Sequence, residues 1–412
     1  MPGRVFPLEV QPLPVDGSLT YLARKTLELQ PVETRPLGVE GADMMGSAIL
    51  LGRDADARYE VVATRSGTHG RFWDRLYVDA DGNGRLVASE CFDLTRSGGL
   101  VRSESIIPGR IWTEVHAVKL TPRPGTSRSP CWVTLRVYQS GKYGLRAAVS
   151  DITWAHGRVT LGGRTVRLGI WGNLTGRFDR RVELPKSVAP DGEAPPIIPE
   201  ACQLLLDIDG NGRFDDLRPF YVRPEHRWLT RLIRFEGAYY DVKVAADGRS
   251  VRITPSTARV GTLALPADVE SATLTGPEFA VFVTNQDQRA ELPAGRYSVD
   301  ACIYRTNGVK VWVGGRTPDG VIDVKPDHAD PLRVGPPFEM RVTCEPARPT
   351  DALVSVPGSP GHEMSISLSL FDGAGRRVRG LQDAYGKRPP PPRFKIVDQA
   401  GKTVLNESFE YG

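Results

Sequence analysis

Long apolar runs are missing from this chain, since no stretch of 18 consecutive apolar residues occurs anywhere in its 412 residues. A helix that crosses a bilayer needs about 20 such residues, so the sequence predicts no membrane span. The N-terminal stretch MPGRVFPLEVQPLPVDG also lacks the charged start and apolar core of a signal peptide. We nevertheless expect an extracellular or cell-surface protein, because the motifs described below suit a compartment that is rich in calcium.

The motifs of common enzymes and zinc centres are missing as well. The five cysteines form no C-x-x-C pair, and the six histidines show neither H-x-H nor H-E-x-x-H spacing. There is no G-x-S-x-G elbow, P-loop or dinucleotide-binding fingerprint. These absences favour a protein without catalytic residues, and a hydrolase assembled from distant residues is the least favoured alternative.

Concentrated positive charge is also lacking, because the formal net charge of +4 is spread along the chain. A dedicated nucleic-acid-binding protein is therefore not expected. One stretch, RPFYVRPEHRWLTRLIRFEG, interleaves arginines with aromatic residues, a pattern that can bind single strands or anionic glycans. We favour a strand with a buried aromatic face and solvated arginines, because no wider basic field surrounds the stretch.

Turn-forming residues are abundant, since 43 glycines and 34 prolines make up nearly a fifth of the chain. Between them lie segments in which apolar and polar residues alternate, as in half-buried strands, whereas helical periodicity is nearly absent. Gly162-Gly163 and Asp247-Gly248 are typical of hairpin turns. The sequence predicts an all-β protein of several sandwich-like or barrel-like domains, with strands that begin near Tyr59, Cys131, Arg164, Tyr239, Glu278 and Glu363.

The predicted domain boundaries follow shifts in composition along the chain. We expect a Pro-rich extended arm with one or two strands at residues 1–45, two β domains at 46–150 and 151–266, a small sandwich at 267–346, and strands at 347–412 that pack on or complete that sandwich. Cys302 and Cys344 are the pair most able to form a disulfide within the sandwich. Buried thiols that act as small hydrophobes are an equal alternative.

A calcium loop is the sharpest motif, and it lies in LYVDADGNGRLVASE. Asp79, Asp81, Asn83 and Glu90 occupy positions 1, 3, 5 and 12 of the pattern D-x-[DN]-x-[DN]-G-x5-E, with glycine at position 6. Calcium takes six to eight oxygen ligands, and alternate residues of a tight turn point their side chains inward. Arg85, at position 7, is expected to contribute its backbone carbonyl.

A second copy lies in LLLDIDGNGRFDD, where Asp207, Asp209 and Asn211 repeat positions 1, 3 and 5 and Arg213 takes position 7. Position 12 is an arginine, so the sequence predicts that Asp215 or Asp216 supplies the closing carboxylate. A bare hairpin is the alternative for both copies, since Asp-Gly and Asn-Gly turns need no metal. Three regularly spaced acidic or amide groups that repel one another favour calcium over a bare turn.

A third, degenerate copy in WGNLTGRFDRR places Trp171 where the first aspartate is expected and keeps Asn173, Thr175 and Asp179. We expect residues 171–179 to form a structural turn without an ion of its own, although the turn can lend an oxygen to the second site.

The two DxDGNG loops between apolar strands resemble the calcium-loop repeats of dockerins and of many secreted bacterial β-proteins. The wider pattern, together with the segments LPAGRYSVDACIY and PPRFKIVDQAGKTVLNESFEYG, resembles large secreted bacterial proteins of uncharacterised function. LPAGRYSV is also similar to a turn and strand of transthyretin-like and immunoglobulin-like modules. The flanking helices of dockerins are missing, so the resemblance does not imply cohesin binding.

These observations together predict a calcium-stabilised, non-enzymatic structural or surface protein. Head-to-tail assembly into a filament by exchange of terminal strands, through the N-terminal arm or the final strand KTVLNESFEYG, is one expectation about partners. A module that binds a glycan or another cell-surface ligand is the alternative function, based on the sandwich architecture and the tryptophan content.

Overall fold

The computed structural model describes most of the chain. The described residues are 3–13, 24–32, 36, 39–40, 43–51, 57–65, 73–94, 112–124, 126, 128–140, 144–184, 201–212, 214, 225–287, 289–314, 321–326, 328–346 and 364–409. Within these ranges the regular structure consists of strands and two single-turn 3-10 helices, Ala88–Glu90 and Asn285–Asp287. The predicted all-β fold class is therefore confirmed.

Contacts divide the chain into two compact units. Unit 1 comprises Met1–Glu183 and Ile198–Thr257, and unit 2 comprises Leu184–Ile197 and Ala258–Gly412. The described strands of unit 1 are β1 (Arg4–Pro7), β2 (Glu9–Pro12), β3 (Arg24–Glu28), β4 (Gln30–Pro31), β5 (Met44–Leu50), β6 (Arg58–Thr64), β7 (Arg75–Val78), β8 (Cys91–Asp93), β9 (Trp112–Leu120), β10 (Cys131–Ser140), β11 (Gly144–Asp151), β12 (Thr153–Leu161), β13 (Arg164–Trp171), β14 (Gln203–Leu206), β15 (His226–Trp228), β16 (Leu232–Phe235), β17 (Ala238–Val244) and β18 (Ser250–Pro255).

Four sheets are formed by these strands, in the orders β1-β18-β17-β16, β3-β11-β10-β9, β15-β14-β13-β12-β2 and β4-β5-β6-β7-β8. Their apolar residues form two main core clusters. The first cluster consists mainly of buried residues between Leu27 and Val149. The second consists of Leu8 and buried residues between Ala155 and Ile253. The predicted boundary near residue 150 thus separates two hydrophobic clusters that belong to one compact unit, rather than two separate units.

Unit 2 contains the remaining strands: β19 (Val260–Ala264), β20 (Val269–Thr275), β21 (Ala280–Thr284), β22 (Arg289–Pro293), β23 (Gly295–Thr306), β24 (Val309–Gly314), β25 (Val321–Val324), β26 (Ala329–Pro331), β27 (Glu339–Pro346), β28 (Met364–Phe371), β29 (Arg377–Gln382), β30 (Arg393–Val397) and β31 (Thr403–Ser408). They form a sheet β22-β19-β26, an eight-stranded sheet that runs β21-β20-β23-β24-β29-β28-β27 with β25 on β23, and the hairpin β30-β31. β28 and β29 thus extend the sheet begun by the preceding strands, whereas β30 and β31 form a hairpin of their own.

The described residues of the predicted N-terminal arm form short strands that pair within unit 1. Among the described residues, β1 pairs with β18, β2 with β12 and β3 with β11, each in an antiparallel register. Proline is compatible with these positions because β1, β2 and β3 are all edge strands, where one side needs no ladder hydrogen bond. The backbone of the predicted arm is therefore used within unit 1.

The cysteines do not form the predicted disulfide, and all five are free thiols. Cys302 is buried on β23, whereas Cys344 lies exposed on β27. Burial raises the pKa of the Cys302 thiol to about 12. The alternative, in which Cys302 acts as a small core hydrophobe, fits its surroundings.

Candidate metal sites

The first candidate site lies at the end of β7, where the chain turns into the loop that leads to β8. The loop needs glycine at two positions, since Gly82 and Gly84 have φ angles of +66° and +79°. A Cβ added at Gly84 would meet nothing within 4 Å, so backbone conformation and not space requires the glycine there. The resulting turn brings the side chains of its alternate residues to one side.

Three carboxylates meet at this turn, as the spacing of the motif predicts. One oxygen from each of Asp79, Asp81 and Glu90 lies within 4.8 Å of the others, a separation that allows all three to contact one cation. Asp79 is fully buried and Glu90 is nearly so, while Asp81 is exposed. The group is therefore open to solvent on the Asp81 side alone.

Hydrogen bonds from the backbone fix the orientation of these carboxylates. Gly84 N–H donates to Asp79 Oδ2 at 2.9 Å, and Ala80 N–H donates to Glu90 Oε1 at 2.7 Å. Asp81 accepts from Asn83 N–H at 3.0 Å and from Asn83 Nδ2 at 2.7 Å. Asn83 Oδ1 accepts the N–H of Arg85, an exposed residue, at 2.7 Å.

One oxygen of the first site has no such partner. Asp79 Oδ1 is buried and accepts no hydrogen bond. Burial raises the pKa of the Asp79 carboxyl, an effect that the hydrogen bond from Gly84 opposes. Because burying a carboxylate oxygen without a partner is costly, this atom is the one that a bound cation would satisfy most directly.

The second candidate site repeats this arrangement at the end of β14. Gly212 N–H donates to Asp207 Oδ2 at 3.0 Å, and Asn211 N–H donates to Asp209 Oδ1 at 2.9 Å. Asp207 is also buried, and its Oδ1 also accepts no hydrogen bond. The same orphaned atom therefore occurs in both loops.

Glu225 supplies the third carboxylate of the second site, and the sequence did not reveal it. One oxygen from each of Asp207, Asp209 and Glu225 lies within 4.8 Å of the others. Ile208 N–H donates to Glu225 Oε1 at 2.7 Å, just as Ala80 donates to Glu90 in the first site. The predicted closing residues Asp215 and Asp216, and also Arg213, lie outside the described residues, so their predicted roles stay predictions.

Strand register explains why Glu90 and Glu225 are equivalent. Tyr77 pairs with Cys91 between β7 and β8, and Leu205 pairs with His226 between β14 and β15. In each pair the aspartate lies two residues after the first partner and the glutamate one residue before the second. A signal that could have identified Glu225 is therefore an acidic residue directly before the next strand, at whatever distance along the chain.

A buried aspartate elsewhere in the chain shows what a hairpin without a cation requires. Asp372 lies in the turn between β28 and β29 and is almost fully buried. Its Oδ1 accepts the N–H groups of Ala374 and Arg376, and its Oδ2 accepts Nε and Nη2 of Arg376 at 3.0 and 2.8 Å. Both oxygens of this purely structural aspartate are satisfied by the protein, in contrast to those of Asp79 and Asp207.

The degenerate third loop is anchored by an aspartate from another strand. Asp151, at the end of β11, accepts the N–H of Thr153 at 2.7 Å and the N–H of Leu174 at 2.6 Å. Burial raises the pKa of this carboxyl, and the same hydrogen bonds oppose the shift. Asp179 instead pairs with Arg177. No third carboxylate cluster with metal-binding spacing occurs in the described residues.

An arginine donates a hydrogen bond to a loop carbonyl at each of the two sites. Arg167 Nη1 donates to the Gly212 carbonyl, and Arg227 is buried two residues after Glu225. Burial lowers the pKa of Arg227 to about 10, while the charge of Glu225 opposes this shift. At the first site, Arg123 Nε donates to the Gly82 carbonyl at 2.5 Å.

The aromatic residues considered for ligand binding are largely in the core. Trp228 and Phe235, from the stretch with interleaved arginines, are 6% and 1% exposed. None of the six tryptophans whose burial is described is exposed. This burial supports the inward aromatic face that we expected, whereas Arg227 is buried and not solvated as expected.

Comparison with known proteins gives no relative: no family model, no curated protein and no solved structure matches the chain. No helix in the described ranges is long and apolar enough to span a bilayer. The arrangement of the two carboxylate clusters is thus the feature from which a function can be argued.

Proposed function

We propose that both loops bind calcium and thereby stabilise the first unit of a non-enzymatic, extracellular structural β-protein. The observation that carries this proposal is the pair of buried oxygens, Asp79 Oδ1 and Asp207 Oδ1, which accept no hydrogen bond and belong to clusters of three carboxylates. A structural turn of this chain satisfies its buried aspartate internally, as Asp372 illustrates. The two loops instead leave one oxygen each for an external partner.

Calcium is the cation that the donors favour. Each cluster offers carboxylate oxygens, with no histidine or cysteine among its three members, and oxygen-only sites suit hard cations such as calcium and magnesium. Magnesium demands a near-ideal octahedron at about 2.0–2.1 Å, whereas calcium accepts six to eight ligands in flexible geometry. A loop that supplies several side chains and its own backbone fits the second description.

A stabilising role follows from where the ligands lie. In each site the aspartates follow one strand and the glutamate directly precedes its antiparallel neighbour, β7 with β8 and β14 with β15. A cation that contacts both would tie the end of one strand to the start of the next. It would also balance two of the three negative charges, which repel one another in its absence.

An extracellular location accords with this chemistry. Calcium sites of extracellular modules have dissociation constants of about 10⁻⁴–10⁻³ M and are filled where free calcium is millimolar. The N-terminal strands β1, β2 and β3 are paired within unit 1, so assembly by exchange of a free N-terminal arm is not the route that we favour. Glycan binding receives no specific support from the buried tryptophans.

The proposal is tested by thermal unfolding in millimolar calcium, in millimolar magnesium and in chelator. Calcium at ten times its dissociation constant adds about 1.4 kcal/mol per site, and 1 kcal/mol raises the midpoint of a unit this size by about 2–4 °C. We therefore expect an increase of several degrees in calcium and a smaller one in magnesium.

Matched variants make the test specific. Asp79→Asn and Asp207→Asn should each lose part of the calcium-dependent increase, and the double variant should lose all of it. Asp398→Asn is the control, because Asp398 accepts the N–H of Lys402 at 2.8 Å in an exposed hairpin that belongs to no cluster. Unfolding midpoints that are identical in calcium and in chelator would disprove the proposal.

A further inference from the structure

Three of the eight large apolar side chains that are exposed among the described residues lie together at one edge of the eight-stranded sheet. Phe338, Met340 and Val342 are 37%, 63% and 60% exposed, and all three lie on β27 or directly before it. Met340 and Val342 are the most exposed aliphatic side chains among the described residues. Apolar groups clustered in this way usually mark an interaction surface.

β27 is the terminal strand of its sheet. It pairs along eight residues with β28, and no other described strand lies on its far side. Every residue from Phe338 to Glu345 is exposed. In an antiparallel pair, alternate residues turn their N–H and C=O groups away from the partner, so this edge presents a row of unused backbone groups to solvent.

The sequence of this edge is complementary to itself. Glu339 and Arg341 lie on one face and form an ion pair at 2.7 Å, while Phe338, Met340 and Val342 alternate with them on the other face. If two copies of the strand run antiparallel with Met340 opposite Met340, Glu339 of each copy faces Arg341 of the other, and Phe338 faces Val342. The charged face and the apolar face are then both matched.

We propose that β27 is a self-association edge, through which two copies of the chain join their eight-stranded sheets about a two-fold axis at Met340. A two-fold axis requires a self-complementary surface, and the order Phe-Glu-Met-Arg-Val provides one in both charge and hydrophobicity. The proposal does not depend on calcium, since β27 belongs to unit 2 and the carboxylate clusters belong to unit 1.

Charge reversal with rescue tests this pairing. Glu339→Arg makes four arginines face one another across the axis, and Arg341→Glu makes four glutamates do so. Each variant should dimerise at least about tenfold more weakly than the natural chain, because like charges placed opposite each other oppose association. An equimolar mixture of the two variants restores every opposite-charge pair and should associate like the natural chain.

Sedimentation velocity of the full chain over a range of about 1–200 µM is a suitable measurement, since small edge-to-edge interfaces are weak. The control variants Arg75→Glu and Glu40→Arg reverse another exposed ion pair, at 3.0 Å, in unit 1 and should leave dimerisation unchanged. Met340→Lys places two ammonium groups at the axis and should abolish it.

Three outcomes would overturn the proposal. The first is a natural chain that stays monomeric throughout this range. The second is dimerisation that persists at full strength in Glu339→Arg, Arg341→Glu or Met340→Lys, which would place the contact elsewhere, for example on the hairpin β30-β31. The third is a mixture of the two reversed variants that fails to associate although the natural chain does.

Discussion

Buried aspartates in this protein differ in whether one or both of their carboxylate oxygens accept hydrogen bonds. Asp372 has a guanidinium and two N–H groups to satisfy it, whereas Asp79 and Asp207 each retain one oxygen that accepts no hydrogen bond. All three side chains are at most 2% exposed, so the difference does not come from access to water. It comes from whether an arginine or an acidic neighbour lies beside the carboxylate.

Glu225 gives the sharpest prediction at the scale of residues. Because its carboxylate meets those of Asp207 and Asp209, Glu225→Gln should reduce calcium binding from two ions per chain to one. Isothermal titration calorimetry on the full chain measures this number directly. Glu90→Gln should have the same effect at the first site.

The control for this prediction is a change at Asp215 or Asp216, the two closing residues that the sequence predicts. Asp215→Asn and Asp216→Asn should leave two ions bound. If either of them removes an ion while Glu225→Gln retains both, the assignment of Glu225 is wrong.

The sequence alone predicts the ligands of the candidate sites that lie within the twelve positions of the loop pattern. Asp79, Asp81 and Glu90 follow from the twelve-position pattern, and they do come together. In the second copy the pattern locates Asp207 and Asp209 but does not reach Glu225, which lies 18 positions after Asp207. The pairing of β14 with β15 brings Glu225 beside the aspartates, and the number of residues along the chain does not reveal that pairing.

At the scale of secondary-structure elements, the third loop is held by an aspartate from a neighbouring strand and not by a carboxylate cluster of its own. Asp151 accepts two N–H groups, from Thr153 and Leu174, and so holds β11, β12 and the loop after β13 together. Asp151→Ala should cost about 1–3 kcal/mol for each buried N–H left without a partner.

This loss in the third loop should be independent of calcium. Urea unfolding of Asp151→Ala in calcium and in chelator should give the same loss of stability, whereas Asp79→Ala should lose more in calcium. A loss from Asp151→Ala that calcium abolishes would contradict the interpretation of the loop as free of metal.

Strands with clear alternation were predicted, and those without it were not located. The six segments identified from the sequence all form strands, from β6 at Arg58–Thr64 to β28 at Met364–Phe371. For residues 1–45 the sequence predicted only one or two strands, without their positions, because the strands there are short, β1 and β2 contain proline, and their partners are distant. β1, for example, pairs with β18 near the end of unit 1.

At the scale of the whole molecule, both candidate sites belong to unit 1. Calcium should therefore raise the unfolding temperature of that unit alone. Differential scanning calorimetry should resolve a calcium-sensitive transition and a calcium-insensitive one, since units with separate cores need not unfold together.

A variant of unit 2 identifies the insensitive transition. Asp372→Asn leaves the charge of Arg376 buried without its carboxylate, at a cost of about 3–5 kcal/mol. It should lower the calcium-insensitive transition in both conditions and leave the other unchanged. If it lowers the calcium-sensitive transition instead, the assignment of the ions to unit 1 is wrong.

The shared register of the two loops has a consequence for finding such sites in other proteins. Glu90 follows Asp79 by 11 positions and Glu225 follows Asp207 by 18, yet both reach the same place beside the aspartates. The distance along the chain is therefore free to vary, provided that the glutamate begins the neighbouring strand. A search for D-x-D-G-N-G followed, after a spacer of any length, by an acidic residue at a strand start would recover loops that a fixed-length pattern overlooks.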